Sequence, residues 1–432
     1  MCKSLVVGLL AVMPSAWAGA QTTDPATREL IEKLLGRIDS LEKRVAELEK
    51  GSARVTTPAG PASTAPGLAS EAAHLSHDQA PVPEEAQPVY PALKIAGFAD
   101  LNFSASNLHG LSGGFGAQTL LGAHSGFEEG QFVLHMSSAL SPKVSVFGEL
   151  SLTARPDAGT GAPPAPGFNA EVERVIIRYD RNDYFRVSFG RYHTPINYWN
   201  TAFHHGQWLQ TTISRPEMTQ FGGSFIPVHF VGSLVEGEAP AGGLNLNYNF
   251  GLGNGRGAVI SRAGDFGDIN NNRAWLANLF VQPDHPYGLR LGGSVYRDEL
   301  NPLVGPVARE WIESGHIVWM KETPEVIAEF ANITHQPVNG SATSNSQAFY
   351  VQTGYRLPWN QKLWKPYYRF EYIHVPHSDT IFRAVVPSFM GSTFGVRYDI
   401  STFAALKLEY RNYVRRDLPT INGVFMQTSF TF

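Results

Sequence analysis

The chain reads as an all-β protein: a 16-stranded antiparallel transmembrane β-barrel preceded by a short α-helical coiled coil. Three observations predict this. From Lys94 to the last residue, amphipathic stretches of roughly ten to fourteen residues recur with a period of two. The connections between these stretches alternate between short and long. Upstream, residues 31–48 carry an unbroken heptad seam.

The alternation is clearest where both faces can be named. Val144, Val146, Leu150 and Leu152 alternate with Ser145, Phe147, Glu149 and Ser151. Val175, Ile177 and Tyr179 alternate with Arg174 and Arg178, and Phe185, Val187 and Phe189 with Arg186 and Ser188. Leu406, Leu408 and Tyr410 alternate with Lys407, Glu409 and Arg411. Successive side chains leave opposite faces of a pleat, so each stretch has one apolar and one polar side. Short connections fall at 141–142, 180–183, 283–286, 321–324 and 400–401, and longer ones at 108–125, 156–168, 253–272 and 376–388. A soluble sandwich has no reason to sort its loops by parity. A membrane barrel does, with an even strand number and both barrel ends on the short-turn side.

Residues 1–20 hold Lys3, an apolar run at 5–13 and small residues at Ala16, Ala18 and Ala20, which is the grammar of a cleaved export signal, cut after Ala18 or Ala20. Cys2 is the only cysteine, so the mature chain is expected to have no thiol, disulfide or thiolate metal site. Beyond the leader no apolar run approaches the roughly 18 residues a spanning helix needs, and a closed barrel is then the remaining way to cross lipid. The net charge is −4 with 34 Lys and Arg, which leaves no electrostatic footprint for nucleic acid.

Residues 24–50 form the coiled coil. Ile31, Ile38 and Val45 fall at position a and Leu34, Leu41 and Leu48 at d, a stripe too narrow to cover a globular core. Arg37-Ile38-Asp39-Ser40-Leu41-Glu42 and Arg44-Val45-Ala46-Glu47-Leu48-Glu49 repeat an Arg-apolar-x-x-apolar-Glu pattern that resembles trimeric coiled coils, so a homotrimer is expected. Residues 51–92, rich in Pro, Ala, Ser and Thr, are an extended periplasmic linker, and 93–432 the barrel.

The last stretch, 421–432, sets Val424, Met426, Thr428 and Phe430 against Phe425, Gln427, Ser429 and Thr431 and ends on Phe432. It resembles the C-terminal strand of bacterial outer-membrane barrels, in which such a segment is read during assembly; Phe430 and Phe432 would be that signal. The longest connection follows strand five, at 193–223. Sixteen strands with a long third loop resemble trimeric porins, where that loop folds into the lumen and narrows it. The coiled coil and linker are similar to an accessory of some phosphate-selective and dicarboxylate-type porins. The resemblance implies an outer-membrane channel for passive diffusion of small hydrophilic solutes, with the N-terminal region in the periplasm, in possible reach of peptidoglycan.

Under that reading His193, Trp199, Asn200, His204, His205, Trp208, Arg215 and Glu217 belong to the constriction, Trp199 and Trp208 bracing it and His204, His205 and Arg215 meeting the solute. Alternation sends Arg178, Arg186, Arg369, Glu371, Arg397, Asp399, Lys407, Glu409 and Arg411 into the lumen. Arg178 and Arg186 sit nearly level across a tight hairpin and are expected to lack a facing carboxylate, which would favour anions weakly. Adjacent histidines rarely both reach one ion, and no carboxylate lies close to His193, His204 and His205 in sequence, so no metal and no cofactor is expected. Gly251, Gly253, Gly255 and Gly257 fail the nucleotide-loop spacing at Arg256 and read as a hairpin tip. No nucleophile elbow is present, and the expectation is a channel rather than an enzyme. The alternatives are a barrel-embedded phospholipase-like hydrolase and a structural tether between outer membrane and cell wall.

Overall fold

A computed structural model describes residues 90–107, 125–154, 168–220, 225–239 and 241–432. The export signal, the coiled coil with every trimerisation residue, and all but the end of the linker lie outside the described residues.

Sixteen strands follow one another along the chain: β1 (Ala92–Ser106), β2 (Gly126–Ser141), β3 (Val144–Ala154), β4 (Phe168–Asn182), β5 (Phe185–His193), β6 (His229–Ala239), β7 (Leu246–Asn254) and β8 (Ala274–Val281). Then come β9 (Leu289–Leu300), β10 (Ala308–Trp319), β11 (Glu325–Pro337), β12 (Ser344–Gly354), β13 (Trp364–His374), β14 (Phe389–Ser401), β15 (Ala404–Arg415) and β16 (Ile421–Thr431). Each pairs antiparallel with its sequence neighbours, and β1 pairs with β16 from Phe98↔Thr431 to Ser106↔Gly423, so the sheet closes without an edge.

Polarity is inverted relative to a soluble sheet. Val175, Phe189, Leu279, Ile317 and Phe394 stand outward and exposed, whereas Glu149, Glu310, Arg369, Lys407 and Glu409 are buried inside. An apolar outer band around a polar interior is what a barrel in lipid requires. Tyr184, Phe185, Tyr287, Trp364 and Phe403 are exposed at the short-turn rim, where an aromatic girdle meets the membrane interface. Among the described residues no helix is long and apolar enough to cross a membrane.

The closing strand shows how the last residue is seated. The Phe432 amide donates to the Gly97 carbonyl at 3.1 Å, and Gly97 donates back to Phe432 at 2.9 Å. A Cβ at Gly97 would stand 2.3 Å from the Phe432 ring, so only glycine admits it there. The glycine run behaves differently from the expected hairpin tip: Gly251 and Gly253 lie within β7, and Gly253 is paired with Gly232 of β6.

Candidate pore constriction

Residues 194–220 and 225–228, the described parts of the connection between β5 and β6, turn into the barrel. The neck is tied by backbone and side chain. The Thr194 amide donates to the Val228 carbonyl at 3.0 Å, and the Asn200 amide nitrogen donates to the Thr194 and Val228 carbonyls at 3.0 and 2.9 Å. Asn200 is therefore a clasp rather than a solute contact. One helical turn, Trp199–Ala202, begins over β11, where Glu329 accepts from the Tyr198 and Trp199 amides at 2.8 and 2.6 Å. Trp199 is fully buried, with its ring 4.9 Å from Phe203 and 6.0 Å from Tyr350 of β12. Ile196, Ile213, Phe225 and Ile226 join the same apolar cluster as inward-facing Ile312, Ile327 and Ile333. Each such side chain contributes about 1.5–3 kcal/mol by burial, so the loop packs as part of a core.

The opposite wall grips the loop through its charges. Arg369 donates to the Ser214 carbonyl at 2.7 Å, the Ser214 hydroxyl at 2.6 Å and the Arg215 carbonyl at 3.0 Å, while pairing with Glu371 at 2.8 Å. Arg397 donates to the Trp208 and Gln210 carbonyls at 2.7 and 3.0 Å and pairs with Asp399 at 2.7 Å. Lys407 donates to the Gln207 and Thr212 carbonyls. Glu409 accepts from the Ile213 amide at 2.8 Å and the Ser214 hydroxyl at 2.7 Å, and Glu371 from the Glu217 amide. Arg411 pairs with Glu409 at 2.6 Å and lies 3.9 Å over the Phe425 ring, which explains an aromatic residue on an inward polar face. The sequence sends these charges into the lumen; there Arg369, Arg397, Lys407 and Glu409 bond the loop's backbone, because a buried loop leaves polar groups that the wall must satisfy.

The expected uncompensated arginine pair is corrected by the register. Asp180 stands opposite Arg186 and two residues from Arg178, on the same face. Arg178 pairs with Asp180 at 2.9 Å and approaches Glu236 of β6 at 3.9 Å, while Arg186 pairs with Asp183 at 3.1 Å.

At the β4–β6 wall the structure brings together His193, His204, His205 and Arg215 from the expected constriction set. It adds Glu173 and His229, which the sequence did not single out. The β3–β4 ladder shifts register between Glu149 and Leu150, so that Glu149 pairs with Arg174 and Leu150 with Val172. Glu173 is the extra residue of this bulge, and it turns inward next to Arg174 instead of outward. Arg191 holds the bulge by donating to the Val172 and Glu173 carbonyls, both at 2.6 Å. Arg191 also lies 3.2 Å from His229 Nδ1; since a guanidinium only donates, Nδ1 accepts, and the protonated His229 Nε2 lies 2.9 Å from Glu173. His205 Nε2 lies 3.2 Å and His204 Nε2 3.9 Å from the same carboxylate. Burial, with His193 stacked at 3.7 Å beside it, holds the His204 imidazole well below its ordinary pKa, so this ring is neutral. Burial likewise draws Arg215 down to about 9 and pushes Glu217 up. Trp208 sits on the far side, 5.8 Å from Arg397.

No family model matches the chain, and no curated protein matches it in sequence. Solved structures do match. The anion-selective porin from Comamonas acidovorans superposes with a TM-score of 0.55 at 12% identity, covering 79% of this chain and 100% of that one. This is a porin-type barrel fold. The outer membrane channel DcaP of Acinetobacter baumannii matches with a TM-score of 0.52 at 11% identity, and OmpF of Salmonella typhi, in complex with daunomycin, with 0.52 at 10%. Each of these two covers 79% of this chain and 97% of its own. At such identities the likeness is one of fold.

Proposed function

We propose that the chain is an outer-membrane porin that passes small hydrophilic solutes passively, with 194–228 as its constriction. One observation carries this reading: a closed barrel, apolar outside and charged inside, holds its longest described connection within the lumen by hydrogen bonds from opposite walls. The barrels of similar fold that are described as porins or channels support it. Residues 24–50 would trimerise the protein in the periplasm, after export and removal of 1–20.

A weak anion preference remains part of the proposal on altered grounds. Arg178 and Arg186 are paired, but Arg290, buried on the inward face of β9, forms no ion pair among the described residues; it donates to His316 at 3.3 Å and lies 3.6 Å over the Phe280 ring. A cation held in this way attracts anions in a low-dielectric passage. The test is conductance of the purified full chain in a planar bilayer, with reversal potentials in a salt gradient. Discrete conductance steps with a reversal potential on the anion side, moved toward zero in Arg290→Gln, are expected. A folded protein that gives no steps overturns the channel; steps with a cation-side potential overturn the selectivity alone.

A further inference from the structure

We infer that Glu173, His193, His204 and His205 form a site for a divalent transition-metal ion that fastens the loop to the barrel wall. The four residues come from three places: the β4 bulge, the end of β5 and the inserted loop. One ligand atom from each lies within 4.8 Å of the other three. Ligands about 2.1 Å from a tetrahedral ion stand about 3.4 Å apart, so the group closes on an ion by side-chain shifts of about 1 Å. His205 Nε2 and Glu173 Oε1 are already 3.2 Å apart.

The hydrogen bonds point the right atoms inward. The Asn200 amide nitrogen is committed to two carbonyls, so its oxygen must accept, and His204 Nδ1 donates to it at 2.9 Å, a shorter contact than the 3.5 Å to the Arg215 guanidinium on the same nitrogen. That leaves Nε2 of His204 with the lone pair, aimed at Glu173. His205 Nδ1 lies 3.2 Å from the Gln131 side-chain oxygen, and as a donor to it leaves Nε2 to face the carboxylate. Neither ring nitrogen of His193 has a hydrogen-bond partner among the described residues, although both are buried. Glu149, 3.4 Å from His193, is already held by Arg174 and His135. Lone pairs on nitrogen and carboxylate oxygen facing one another repel, and a cation between them removes the repulsion. A single proton on His205 would serve one of these contacts and leave both buried ring nitrogens of His193 without a partner among the described residues.

Outer contacts are in place as well. Arg191 fixes the bulge and the His229 tautomer, and His229 fixes Glu173; such partners hold ligands in metal sites generally. Three imidazoles and one carboxylate suit zinc, cobalt, nickel or copper and not magnesium or calcium, which take oxygen ligands. The assignment does not depend on solute passing through the barrel.

The test uses untagged, EDTA-stripped full-length protein in detergent, titrated with Co²⁺ and followed by visible absorption. Saturation at one Co²⁺ per chain, with the intense bands of a four-coordinate ion and displacement by Zn²⁺, is expected. His193→Gln and Glu173→Gln, checked for folding by heat-dependent gel migration, should each weaken Co²⁺ at least tenfold. A weak octahedral spectrum throughout, or bands unchanged in folded variants, overturns the site. If the variants do not fold, Cu²⁺ and ascorbate oxidation of the wild-type chain, mapped by mass spectrometry, decides it. Oxidation centred on His193, His204 and His205 supports the site, and oxidation elsewhere or nowhere overturns it.

Discussion

Glu173 shows how one residue's direction decides what a wall can do. In a regular strand it would share the lipid-facing side of Val175 and Ile177, where a carboxylate is very costly. The bulge turns it inward, and Arg191 stabilises that turn through the two carbonyls the bulge frees. Arg191→Gln should loosen the bulge: hydrogen exchange of 171–175 quickens, while the regular β3–β4 pairs near Val144 keep their protection. Equal protection in variant and parent would contradict that role. Period-two reading could not have found Glu173, because a bulge is the place where that period fails. The Asp180 contact to Arg178 is a different matter. It was legible, since residues two apart share a face, and reading Arg178 only against its cross-strand neighbours missed it. Glu236, from β6, required the fold.

Strands and connections were the best-marked elements, because inside–outside alternation and turn length are local properties of the chain. The third connection was marked by length alone; the attachments from β11, β13, β14 and β15 lie more than a hundred residues downstream, and no local pattern predicts them. The charges on those strands separate into two kinds. Arg369 is fully buried and joins Glu371 to the loop, so Arg369→Met leaves a buried carboxylate without its cation, at a cost of about 3–5 kcal/mol. Arg186 keeps 30% of its side chain exposed, and Arg186→Met should cost less than about 1 kcal/mol. Denaturant unfolding of both variants in detergent checks this. Similar small losses would mean that the loop is held by its apolar core and not by the charged wall.

At the scale of the whole molecule, the closed 16-strand barrel follows from the even count and the sorted turns, and the likeness to porin-type barrels agrees with it. The proposed trimerisation would rest on a separate segment. Three heptads are marginal alone, so in that proposal their association is set by the seam, with Ile38 and Leu41 at its centre. A peptide of residues 24–50 should sediment as a trimer, and Ile38→Asp with Leu41→Asp should reduce it to monomers; a parent peptide that sediments as a dimer would contradict the trimer.

The central claim is that residues 194–228, pinned between walls, set the passage through the barrel. Its most direct test is the single-channel conductance of a variant lacking 200–212, compared with the full chain in the same bilayer and salt. That deletion removes the helical turn, Trp208 and the carbonyls held by Arg397 and Lys407. The account predicts a folded barrel with several-fold higher conductance and less discrimination between solutes; an unchanged conductance in a folded deletion would contradict it.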